Sequence, residues 1–239
     1  MGTSESEVYN LLNLAEDYVL DGFRHDHPPL QPSAERLSQP LSPQAALHSI
    51  AEQVAACTRC PLHRERKRTV PGEGASSPLV MVIGEGPGLE EDRSGRPFVG
   101  RAGQYLDRWL QAINLDRKSN CFIANILKCR PPGNRDPSLE ESAACLPYLK
   151  RQIEILRPKA ILTVGRISTQ ILCERTEGIG MLRGMDLAFL GIPLVATYHP
   201  SAVLRNSDLR AVVWQDLKRV RTLPGLSDGV DPPGGSGSR

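Results

Sequence analysis

The 239 residues carry 29 Lys and Arg against 27 Asp and Glu, and 40% are hydrophobic, enough for a full core and one α/β domain with appendages. No apolar run is long enough to span a membrane and no signal-peptide pattern opens the sequence, so a cytoplasmic protein without membrane association is expected. The near-neutral balance is uneven: residues 1–47 hold two arginines against seven carboxylates, a net −5, so residues 48–239 carry +7, the part on which a polyanionic partner would sit.

Residues 4–21 predict an amphipathic helix, with Val8, Leu11, Leu12, Ala15 and Val19 at helical spacing behind a Ser4-x-x-Glu7 capping box. Residues 1–26 therefore read as a helical extension, and the proline-rich residues 27–43 as a linker. A helix is expected to begin with Ser42 as cap and Pro43 at its first position. The main domain, 44–222, alternates strands with helices. Strands are predicted at Leu79–Ile83, Cys121–Asn125, Ala160–Val164 and Leu194–Thr197. Helices are predicted at Gly100–Ile113, Ser138–Arg157, Ile167–Glu174 and Asp208–Arg221. That alternation implies an α/β fold with a mainly parallel sheet covered on both faces. Residues 223–239, rich in Gly, Pro and Ser, read as a disordered tail.

The first of these strands runs into Gly84-Glu85-Gly86-Pro87-Gly88, followed by Glu90, Glu91 and Asp92 and then Phe98. Such a turn builds a site at the carboxyl edge of a sheet. It is not a phosphate loop, because no Gly-Lys-Ser/Thr occurs in the chain. Nor is it a dinucleotide fingerprint: Pro87 removes an N–H, and three carboxylates downstream would repel a pyrophosphate.

Of six cysteines, Cys121 and Cys173 sit in apolar runs and read as small buried hydrophobes. Cys57-Thr-Arg-Cys60 has ligand spacing, and Cys129 and Cys145 follow later. A disulfide framework does not suit a cytosolic chain of this size. A thioredoxin-like motif would need a strand before it and a helix after it, whereas this one ends a helix. A tetrathiolate site remains, holding zinc or an iron–sulfur cluster, and spacing does not choose between them.

Near the carboxyl end a strand runs into His199-Pro200-Ser201, where proline restricts the histidine before it. One sheet edge can thus gather Glu85, Phe98, Asn125 and His199: a carboxylate, an aromatic face, an amide and an imidazole. Together they suit a planar, hydrogen-bonding heterocycle.

These residues resemble the family-4, iron–sulfur uracil-DNA glycosylases of bacteria and archaea. The resemblance is carried by Gly84-Glu85-Gly86-Pro87-Gly88, Glu91-Asp92, Gly95-x-Pro97-Phe98-Val99-Gly100-x-Ala102-Gly103, Asn125-Ile126-x-Lys128-Cys129-Arg130-Pro131-Pro132 with Asn134-Arg135, Cys145-x-Pro147 and His199-Pro200-Ser201. It runs from about Ser49 to Arg221. It implies a three-layer α/β/α sandwich that flips uracil out of single- or double-stranded DNA, hydrolyses its N-glycosidic bond and leaves an abasic site for base excision repair. It also implies that Cys57, Cys60, Cys129 and Cys145 hold a [4Fe–4S] cluster. Glu85, Gly86 and Pro87 would line the pocket, Phe98 stack on uracil, Asn125 read its edge and His199 contact its O2 side. Better-known relatives place an Asp in the first motif to handle water. Here that position is Gly86, which leaves Glu85 and Glu91 as candidates, with Glu85 ahead because it lies inside the turn. Leu204 reads as a wedge into the base stack or as a core residue, and Arg205 as a phosphate contact.

Three rival readings are a uracil-DNA binder without turnover, a relative that traps the sugar covalently, and an electron-transfer or zinc module. The trapping branch carries a nucleophilic histidine in an inserted basic loop, and residues 89–104 contain no histidine. A monomer is expected. Residues 1–26 read either as a docking helix for a repair or replication protein or as a self-packing extension.

Overall fold

The computed structural model describes residues 41–226. The helix predicted at 4–21, residues 27–40 of the linker and residues 227–239 of the tail lie outside them. The elements run, in chain order, α1 (Pro43–Ala55), a 3-10 turn (Pro61–Arg64), β1 (Glu73–Gly74), β2 (Val80–Gly84), α2 (Leu89–Ser94), α3 (Arg101–Ala112) and β3 (Cys121–Asn125). After a second 3-10 turn (Pro132–Asn134) come α4 (Leu139–Leu156), β4 (Ala160–Val164), α5 (Arg166–Cys173), α6 (Ile179–Leu182), β5 (Leu187–Phe189), β6 (Ile192–Thr197), α7 (Pro200–Arg205) and α8 (Leu209–Arg221).

The strands form one sheet in the order β1-β3-β2-β4-β6-β5. The four inner strands are parallel and the two short edge strands antiparallel. Every residue of β2, β3 and β4 is buried, as a parallel sheet covered on both faces requires. Alternation then sorts the side chains. Met81, Ile83, Phe122 and Ala124 pack with Ile50 and Val54 of α1 and with Leu149 and Ile153 of α4. Val80, Val82 and Ile123 pack on the other face with Leu106 and Leu110 of α3 and with Val213 and Leu217 of α8. The result is the expected α/β/α sandwich.

Helix ends follow local chemistry. Ser42 caps α1, its hydroxyl accepting from the Ala45 N–H at 3.3 Å, with Pro43 in the first turn. A capping box of Ser138 and Glu141 starts α4, and Arg135 adds two hydrogen bonds to the Glu141 carboxylate at 2.6 and 2.8 Å.

Several short elements were not expected. The β5–β6 hairpin turns through Leu190 (φ 51) and Gly191 (φ 76), a left-handed pair without the usual Asn-Gly signature. Pro193 hid the start of β6, yet it precedes the ladder with β4, which begins at Leu194, and removes no bond from it. Residues 223–226 of the expected tail are among the described residues. Leu226 is buried, Leu223 packs against the α3–α8 side of the core, and the Gly225 carbonyl accepts from Lys159 Nζ at 2.8 Å. Cys121 is buried as expected, whereas Cys173 is only partly so. No helix among the described residues is long and apolar enough to cross a membrane.

Candidate active site

Strand order reverses at β2, which pairs β3 on one side and β4 on the other, and sites form at the carboxyl ends of strands beside such a switch. Gly84 ends β2 directly opposite Asn125 at the end of β3. The ladder continues beyond the strands: Ile126 N–H donates to the Gly84 carbonyl at 2.9 Å, and Leu127 N–H to that of Glu85 at 3.0 Å. On the other side Gly165, after β4, donates its N–H to the Thr197 carbonyl at 2.8 Å. Asn125 ends β3, Glu85 follows β2 and His199 follows β6, all at the carboxyl ends of parallel strands along one edge of the sheet.

Gly84 is where two side chains converge. A Cβ there would lie 2.4 Å from Asn125 Oδ1 and 2.5 Å from Phe98 Cζ, so only glycine permits the approach. Asn125 is 1% exposed, and its Oδ1 is buried without a hydrogen-bond partner among the described residues. Leaving such an acceptor unpaired costs about 1–3 kcal/mol.

Phe98 is buried and adopts φ 52, a left-handed conformation costing a bulky residue about 1–3 kcal/mol. Its ring lies 5.9 Å from that of His199, tilted by 34°. The surrounding backbone is held on both sides. Arg117 donates to the carbonyls of Pro97 at 3.0 Å and Phe98 at 2.9 Å. Glu91 Oε1 accepts from the N–H groups of Val99 at 2.8 Å and Gly100 at 2.9 Å. Gly103 completes the cradle, since a Cβ there would meet the Phe98 carbonyl oxygen. Arg117 carried no recognisable motif, and its partners lie scattered in sequence.

His199 caps α7. Its Nδ1 accepts from the Ser201 N–H at 3.2 Å and lies 2.7 Å from the Ser201 hydroxyl. Burial, aided by the Arg205 cation and opposed by Glu91, pushes its pKa down to about 4. The imidazole is therefore neutral at ordinary pH, and acceptance at Nδ1 leaves the proton on Nε2. Burial and the neighbouring Asp136 carboxylate, opposed by Arg166, push Glu85 up to about 7. Its carboxylate makes no hydrogen bond or ion pair among the described residues, in contrast to that of Glu91. Gly86 leaves space: a Cβ there would sit 3.5 Å from Leu127 and 3.6 Å from Pro131. Leu204 is 43% exposed, while the neighbouring Val203 fills the core. Arg205 is exposed at the end of the same helix.

A cavity whose lining includes none of Glu85, Phe98, Asn125 and His199 lies beside α1 and α4. Cys57 and Cys60, just after α1, line it together with Cys129 and with Cys145 of α4. Among the described residues no group of three or more Cys, His, Asp or Glu is gathered as a single metal ion requires. The sulfurs have donors: Arg66 Nη1 lies 3.3 Å from Cys129 Sγ, and the Lys128 N–H 3.2 Å from Cys145 Sγ. Burial raises the thiols of Cys60 and Cys129, and pushes Cys145 up to about 11. Lys128, wholly buried, bridges the two sites. Its Nζ donates to the Asn125 carbonyl at 2.9 Å and to Gln152 Oε1 at 2.8 Å, and burial pushes its pKa down to about 8.

A family model described as the uracil DNA glycosylase superfamily matches residues 71–218. The chain is 46% identical over 179 residues to a Type-4 uracil-DNA glycosylase of Pyrobaculum aerophilum, covering 72% of this chain and 91% of that protein. It is 41% identical over 178 residues to a Type-4 uracil-DNA glycosylase of Thermotoga maritima, covering 73% and 92%. To a Type-5 uracil-DNA glycosylase of Pyrobaculum aerophilum it is 27% identical over 203 residues, covering 72% and 89%.

Proposed function

The chain belongs to the uracil DNA glycosylase superfamily and, within it, to the type-4 uracil-DNA glycosylases, and from that membership we propose how its own residues excise uracil. The protein is a DNA-repair glycosylase: it hydrolyses the N-glycosidic bond of uracil in DNA, releasing the free base. The base must first leave the stack, at a cost of about a few kcal/mol.

The observation that carries the assignment of roles is the unpaired, buried Oδ1 of Asn125. Uracil supplies the missing donor at N3–H, and the Asn125 amide N–H donates to O4. Cytosine presents the opposite pattern at those two atoms, leaving buried groups unpaired at about 1–3 kcal/mol each. The Phe98 ring provides the stacking face, and the turn from Glu85 through Gly86 to Pro87 the adjoining wall. As the glycosidic bond breaks, negative charge grows on the base and positive charge on the sugar. Neutral His199 donates its Nε2 proton toward O2, where a preorganised hydrogen bond stabilises the departing anion. Glu85 is the carboxylate we assign to the water and to the oxocarbenium-like sugar, because Glu91 is held in place by the Val99 and Gly100 amides, which both donate to its Oε1. Leu204 wedges into the gap left by the flipped base, and Arg205 contacts a phosphate.

The four cysteines fit a [4Fe–4S] cluster better than a lone zinc ion. They line one cavity without the close grouping a single ion demands, and donors from Arg66 and Lys128 reach two sulfurs. When bound, the cluster supplies iron–thiolate bonds that tie the end of α1 to the loop after β3 and to α4, a structural contribution. The protein works as a monomer in this reading, with residues 1–26 available for a repair or replication partner.

Release of free uracil from single- and double-stranded uracil-containing oligonucleotides, without added metal, tests the reaction. Protein that leaves such oligonucleotides uncut after alkali would refute it. Iron and sulfide content measured on the same preparation tests the cluster, and a colourless protein holding one zinc would overturn it. Gly84→Ala, by forcing Phe98 or Asn125 out of place, should slow excision on the order of 10²-fold. A rate within twofold of the parent would mean that the two side chains do not converge on uracil.

A further inference from the structure

Phe98 serves as a platform only while its loop stays in an unfavourable conformation, and something must hold it there. We infer that Arg117, nineteen residues away in sequence, is a positioning residue that locks the Phe98 loop for base stacking; this rests on the reading of Phe98 as the stacking face. Arg117 spends all five of its N–H donors. Nε and Nη2 donate to Asp107 Oδ1 at 3.0 and 2.7 Å, and Nη1 to Glu73 Oε1 at 2.8 Å. The remaining two, from Nη1 and Nη2, reach the carbonyls of Pro97 and Phe98.

Those two carbonyls flank the Phe98 Cα, so fixing both restrains its φ and ψ together. The Glu91 carboxylate fixes the next two amides. Four polar groups, one on each of four consecutive residues of the loop, are thus held by two side chains of opposite charge. The Arg117 side chain is only 11% exposed and its guanidinium lies between two carboxylates, so it is itself immobilised and can serve as a rigid template. An ion pair that merely stabilised the fold would not need the two carbonyl contacts. Lysine keeps the charge but presents its donors from one atom, and cannot span Glu73, Asp107 and both carbonyls.

The test is a double-mutant cycle on the single-turnover rate of uracil excision, with Arg117→Lys, Phe98→Ala and the pair, each checked for a cooperative melt. Arg117→Lys should slow the parent on the order of 10²-fold, yet slow the Phe98→Ala enzyme by less than about threefold, because the ring it positions is gone. Equal losses in both backgrounds would overturn the inference and make Arg117 a general structural residue. If Phe98→Ala alone leaves the rate unaltered, stacking is wrong and the positioning role falls with it. Should Arg117→Lys fail to fold, the same cycle with Glu91→Ala decides. A Gln carbonyl at position 91 can still accept both amides, so Glu91→Gln should lose far less than Glu91→Ala. Equal losses there would mean that the carboxylate charge acts on the reaction itself.

Discussion

Asn125→Ala should slow uracil excision by about 10²–10³-fold, the usual loss for a buried group whose hydrogen bonds strengthen in the transition state, while leaving the melting temperature unchanged or raised. The two halves of that result come from one atom. In the free protein Asn125 Oδ1 is buried without a partner among the described residues, so the fold gains nothing from it and carries its desolvation cost. In the role proposed for it, the same atom accepts from uracil N3–H and the cost is recovered. Most core truncations lose stability; here the truncation removes an unpaired polar group and not a packed methylene. Excision rates together with thermal melts check it. A large fall in melting temperature would place Asn125 among structural residues.

The second large effect is a pH dependence. With Glu85 near 7 and required as a carboxylate, the single-turnover rate should climb through about pH 7 and level off above it. Glu85→Gln should lower the plateau by about 10²–10⁴-fold, the range for positioned acid–base groups, and abolish the limb. Stability runs the opposite way. The folded state holds the Glu85 proton between its ordinary value of 4.5 and about 7, so this group's contribution is fully present below 4.5 and is lost as pH rises through about 7. Glu85→Gln should therefore melt higher than the parent above pH 7. His199 contributes no limb in that range, since it charges only near 4. The unfolded chain binds that proton from 6.5 downward, so the His199 contribution to stability declines as pH falls from 6.5 toward 4. A rate that is flat between pH 6 and 8 would remove Glu85 from the water-handling role.

The parts legible in the sequence were those written in short-range pattern. Continuous apolar runs located β2, β3 and β4 to within a residue, and capping chemistry located the start of α1. The glycine turn, Asn125 and His199 could be placed on one edge because parallel strands send their carboxyl ends the same way. What remained hidden depends on contacts between distant residues. Arg117 reads as an ordinary surface cation until Glu73, Asp107 and the Phe98 loop fold around it. Glu91 looked like a second candidate for the water because its partners, the Val99 and Gly100 amides, are backbone groups with no signature in side-chain identity. Leu204 had two readings until α7 turned Val203 inward. The β5–β6 hairpin was missed because its left-handed turn uses Leu190 where Asn or Asp is customary.

The two glycines that open the first motif have opposite evolutionary prospects. At Gly84 the smallest available change, a single methyl group, already collides with Asn125 Oδ1 and the Phe98 ring, so any side chain there must displace one of the two. At Gly86 a Cβ meets its neighbours at ordinary contact distance, 3.5 Å or more. Lineages can gain or lose a side chain there without disturbing the base pocket. On the roles proposed above, descendants of one ancestral pocket can exchange the group that handles water, at positions 85 and 86, while inheriting the part that recognises the base unaltered.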